Sequence, residues 1–240
     1  MRPVQAFILI NIVAFLLFPL VQKVPNLEDY RPDEFQQGKE VAGSLSIVQS
    51  LLILTASLVL IKLLKFKLSW FIDLSVFFSG MLFGSLFGVG AYLGIFLLAL
   101  RKTRIIELFN LSSSATIICF ALLIAPFVTP QAAMVLLALL SLYDVIGVLF
   151  LPYIKFLWLE VNKTTNLDSI ALIFDKGMVG AGDFALPLVF SLSFGIPGLL
   201  SVPLLALGFW LNQRLARFFG AFPGIPFQAL FAYLFMVVAS

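Results

Sequence analysis

Apolar residues run through this chain in long blocks separated by short clusters of charge, and the blocks exceed anything a strand or a half-polar soluble helix requires. A hydrocarbon layer of roughly 30 Å takes about 20 apolar residues per helix. On that measure the blocks predict nine spans, at 4–22, 42–64, 69–86, 88–100, 112–129, 131–154, 169–194, 196–213 and 222–239. The expected fold is all-α, one polytopic transmembrane domain over residues 1–240. Spans three and four share a single apolar stretch, 68–100, with Gly88 and Gly90 as the predicted reversal. The first span follows only Met1-Arg2-Pro3, has no small-residue cleavage site and runs into Val24-Pro25, so it reads as a retained helix.

The charged clusters give an orientation. With the N-terminus inside, twelve of the 15 basic residues fall on the cytoplasmic side, and Lys23, Arg31 and Lys39 lie outside in a first loop that is net acidic. The predicted topology is N-terminus cytoplasmic and C-terminus outside, in a multi-pass protein of the cytoplasmic membrane. Composition narrows the class further: 62% of residues are hydrophobic and 11% charged, and the mean hydropathy is +1.11. The net charge of +3 therefore marks a membrane side and implies no nucleic-acid partner. With no histidine and one cysteine, Cys119, the chain can build no disulfide, no His/Cys zinc site and no Cys-His nucleophile. No metal or cofactor is expected.

Two aspartates stand against this apolar background. Asp144 and Asp183 lie inside spans six and seven, where an ionisable group costs roughly 2.5 to 3.5 kcal/mol on insertion scales and is a functional hypothesis by default. Counted along ideal helices from Lys155 and Lys176, they lie roughly 16 and 10 Å from the cytoplasmic boundary. Adjacent antiparallel spans then let the carboxyls meet. Two such groups cannot both ionise cheaply, so the pair holds one proton and offers a general base beside a general acid. That is the equipment for activating water against a peptide carbonyl. Gly177, Gly180 and Gly182 are expected to weaken the helix before Asp183 and admit another backbone, while Pro187 removes the partner of the Asp183 carbonyl. Pro152 does the same to Val148 and predicts a kink one turn past Asp144. Tyr143 can donate a hydrogen bond to the dyad or to substrate. Asp73, six residues after Lys67, is expected to be solvated or paired at the interface, and Gly80, Gly84 and Gly88 read as a close-packing series within the protein.

Tyr143-Asp144 in one span and Gly180-Ala181-Gly182-Asp183-Phe184-Ala185-Leu186-Pro187 in the next resemble the signatures of the presenilin and signal-peptide-peptidase family of intramembrane aspartyl proteases. The short single-domain chain is most similar to the archaeal homologues. The family's third signature, Pro-Ala-Leu in the last span, is met by Gln228-Ala229-Leu230, with Gln in place of Pro. The resemblance implies Asp144 and Asp183 as catalytic residues, and Tyr143, Gly180, Gly182, Gln228, Ala229 and Leu230 as groups that position substrate. It implies transmembrane proteins or peptides as substrates, the lipid bilayer as surroundings and, from the short 155–168 connection, no obligatory partner subunit. Phe156-Leu157-Trp158-Leu159 in that connection is expected to lie along the interface as part of a gate. Two other readings remain open: a proton-coupled transporter or channel built on the acidic pair, and a prepilin or preflagellin peptidase, against which the late position of Asp144 argues.

Overall fold

The computed structural model describes residues 2–23, 68–103, 105–150, 171–174, 177–219 and 223–239. They form eight helices: α1 (Pro3–Gln22), α2 (Leu68–Ser85), α3 (Gly90–Lys102), α4 (Ile106–Ile124), α5 (Pro130–Phe150), α6 (Gly182–Ser193), α7 (Val202–Phe219) and α8 (Pro226–Ala239). A 3-10 turn, Ala125–Phe127, ends α4, and another, Ile196–Ser201, leads into α7. Among the described residues three segments, Pro3–Gln22, Ile106–Phe127 and Ile196–Phe218, are long and apolar enough to cross a membrane. The second predicted span, the 155–168 connection with its Trp158, and Pro152 lie outside the described residues.

The expectation of an all-α chain needs one correction. The first half of the predicted seventh span is a hairpin, β1 (Ala171–Phe174) paired antiparallel with β2 (Gly177–Gly180) in the register Ala171 to Gly180 and Phe174 to Gly177. Glycines at both ends of β2 disfavour a helix there, and the chain turns helical only at Gly182. Asp183 is thus in the first turn of α6, and its depth cannot be counted as helical rise from Lys176. Asn110 on α4 holds the hairpin: its amide donates to the Ile173 carbonyl (2.7 Å) and accepts from the Ile173 N–H (2.8 Å). Those are the two backbone groups that Ile173 turns away from β2.

The α2–α3 reversal falls where left-handed backbone is needed, with φ of +74° at Gly88 and +27° at Gly90. Small residues let these two helices nearly touch: a Cβ on Gly80 would lie 2.9 Å from the Gly94 Cα, and one on Gly84 would lie 2.8 Å from the Gly90 carbonyl oxygen. The series packs helices within the chain, and Gly88 serves the turn. Asp73 on α2 pairs across this hairpin with Arg101 (3.2 Å) and with Lys102.

The centre of the molecule is α6. Every residue from Phe184 to Leu192 except Leu186 is buried, the pattern of a helix apolar all round. It contacts α1, α4, α5, α7 and α8. The Phe184 ring packs against Phe7 of α1 (6.0 Å) and Phe209 of α7 (5.2 Å), which themselves stack at 5.1 Å. This cluster fixes the rotation of α6 about its axis.

Candidate active site

Periodicity brings Asp144 inward. Along α5 the buried positions Met134, Leu137 and Ser141 recur at helical spacing, and Asp144 continues the same stripe. Its neighbour Tyr143 falls on the outer face, 40% exposed, and makes no hydrogen bond to the described residues. On α6 the buried Phe184 anchors the first turn and thereby sets where Asp183 points.

The two carboxyls meet at Gly224, in the turn that enters α8. The Gly224 N–H donates to Asp144 Oδ2 at 2.5 Å and the Ile225 N–H donates to the same oxygen at 3.3 Å. On its other side Gly224 faces Asp183 so closely that a Cβ there would overlap Oδ1 and stand 2.6 Å from Cγ. Gly224 thus lies against both carboxyls. Both are half-buried.

Pro187 does not loosen α6, which runs unbroken from Gly182 to Ser193. The proline removes the N–H that would have reached the Asp183 carbonyl, and that carbonyl instead accepts from Gln228 Nε2 at 3.0 Å. A side chain on α8 thus replaces the missing backbone donor. The other two members of the expected triplet part company, because α8 is a helix: Ala229 is buried at 7% exposure and Leu230 is 51% exposed on the outer face. A Cβ on Gly180 or Gly182 would meet nothing within 4 Å among the described residues.

Three residues at this site carry no sequence expectation. Gly224 and Ile225 belong to Pro223-Gly224-Ile225-Pro226, whose prolines and glycine announce a turn but not its contact with the aspartates. Asn212, 1% exposed, donates to the Gly224 carbonyl (2.6 Å) and accepts from the Phe227 N–H (3.3 Å). The available signal was a polar residue on the apolar stripe of Leu205, Gly208 and Phe209 in α7. Among the described residues no group of three or more His, Cys, Asp or Glu side chains is placed to hold a metal. Chemically, the arrangement offers two carboxyls and a pair of fixed N–H donors. No protein-family model matches the chain, and no curated protein matches it.

Proposed function

We propose that this protein is an intramembrane aspartyl endopeptidase, oriented with its N-terminus in the cytoplasm, whose dyad is Asp144 and Asp183. The observation that carries the reading is the convergence of both carboxyls, from separate apolar segments, on the single residue Gly224. Isolated structural carboxylates in an apolar bundle gain nothing from being placed together, since like charges repel. A dyad that shares a proton requires it.

In the proposed reaction one carboxylate takes a proton from water as its oxygen attacks the scissile carbonyl carbon, while the protonated partner hydrogen-bonds to the carbonyl oxygen. The tetrahedral intermediate then collapses, the C–N bond breaks, and the leaving amine takes up a proton from the dyad. Water must therefore reach the site, and half-burial of both aspartates suits this. An extended substrate also suits the hairpin, because β2 has no second strand partner among the described residues and ends at Gly180, three residues before Asp183. The resemblance to the presenilin and signal-peptide-peptidase family points the same way. The N–H groups that meet Asp144 come from Gly224 and Ile225, while Gln228 of the triplet Gln228-Ala229-Leu230 reaches the Asp183 carbonyl.

The test is cleavage of a transmembrane reporter in proteoliposomes by the wild type and by Asp144→Asn and Asp183→Asn. Each substitution preserves size and removes half of the acid-base pair, so both variants should fold and neither should cut. Cleavage by either purified variant refutes the dyad. A transporter built on the same pair would instead show proton flux in the same vesicles without cleavage.

A further inference from the structure

The turn that joins the two carboxyls has to be held in place by something, because its backbone is short, carries two prolines and lies among apolar helices. Its geometry is set from α7. Gly208 and Asn212 stand one helical turn apart on that helix, on the face that receives the start of α8. At Gly208 the helices touch, and a Cβ would lie 2.8 Å from the Phe227 carbonyl oxygen and 2.9 Å from the Gln228 nitrogen. One turn further, the Asn212 amide spans the turn at both ends, donating to the Gly224 carbonyl at 2.6 Å and accepting from the Phe227 N–H at 3.3 Å. The residue whose carbonyl Asn212 grips is the residue whose N–H meets Asp144 at 2.5 Å.

We propose that Asn212 is a positioning residue of the dyad: it fixes the Pro223–Phe227 turn so that the Gly224 and Ile225 N–H groups address Asp144 while Gly224 stays against Asp183. A buried side-chain amide is costly unless both its ends are satisfied, and here both are satisfied by the backbone of this one turn. Asn supplies a donor and an acceptor on separate atoms of one planar amide, whereas Ser carries both on a single oxygen and Leu carries neither. Asn212 touches neither carboxyl in the described contacts and acts through Gly224. The enzymatic half of the proposal rests on the proteolytic reading of the dyad; the structural half does not.

The experiment compares Asn212→Leu with the wild type by two measurements on the full-length protein in proteoliposomes. Kinetics on a transmembrane reporter peptide should show kcat reduced about tenfold to a hundredfold, as expected when a catalytic group is displaced by about an ångström, with KM within about twofold. Amide hydrogen exchange should quicken at Gly224, Ile225 and Phe227 while α6, from Gly182 to Ser193, keeps its protection. An unchanged kcat in the folded variant overturns the proposal. So does exchange that rises equally in α6 and α8, which would make Asn212 a general fastening between helices. Asn212→Ala, which adds no bulk, carries the same expectations if the Leu variant does not fold, and failure of both to fold overturns the positioning role. A wild-type protein that cuts no reporter sinks the proteolytic reading instead, and the exchange measurement still decides whether Asn212 holds the turn.

Discussion

At Gly224 a single hydrogen atom stands where any other residue would place carbon against the Asp183 carboxyl. Gly224→Val should therefore leave the helices assembled but force the turn away from Asp183, taking with it the N–H that reaches Asp144. The expected result is a loss of reporter cleavage of about a hundredfold or more with an unchanged elution profile in detergent. Activity close to wild type would mean that the dyad does not depend on this turn. The same pair of carboxyls dictates the response to pH. Cleavage needs one proton on the pair, so activity should fall toward acid as both groups become protonated and toward alkali as both ionise, giving a bell whose limbs belong to the pair and not to either residue. A flat profile over about pH 4 to 9 in a folded protein would contradict proton sharing.

Among the elements, the β1–β2 hairpin is held to the helices through α4 and α6. It consists of two four-residue strands, and an isolated hairpin of that size has little stability of its own. Asn110 makes up part of the deficit by closing the outer side of Ile173 with two hydrogen bonds. Asn110→Leu leaves a partly buried N–H and C=O without that partner, a cost of about 1 to 3 kcal/mol. It should lower the melting temperature measured in detergent and, more specifically, raise proteolytic nicking or amide exchange at 171–180 ahead of any change in α4. Reporter cleavage should weaken with it if the hairpin aligns the substrate. Loss of protection spread evenly over the chain would show instead that Asn110 merely packs α4.

For the whole molecule, α6 is surrounded by helices of the same chain, and the turn and amides that organise its aspartate come from α7 and α8. On the proposed reading, with the groups that organise the dyad supplied by this chain, the protein should cut its reporter when purified alone and intact. Mass spectrometry of the active sample should find the full-length chain, and activity that emerges only after nicking between α5 and β1, or only with a co-purified subunit, would refute this.

Several of these features were legible in the residues themselves. Length and continuity of apolar blocks are enough to mark helices at α1 to α5, at α7 and at α8, because each such block must satisfy its own backbone in an apolar surrounding. The cost of burying charge singles out Asp144 and Asp183 without any coordinates, and the Gly88 and Gly90 reversal follows from chain length alone. What the sequence could not decide were matters of contact between distant segments. Apolarity does not distinguish a spanning helix from a hairpin, so β1 and β2 looked like the first half of a helix until their pairing and the Asn110 clasp were seen. A helical triplet such as Gln228-Ala229-Leu230 reads as a unit in sequence, yet successive residues point about 100° apart, and only the packing of α8 on α6 and α7 sends Gln228 to the Asp183 carbonyl and Leu230 outward. Gly224 and Asn212 bear no charge and form no long motif. Their importance lies in what they touch, which is a property of the tertiary structure alone.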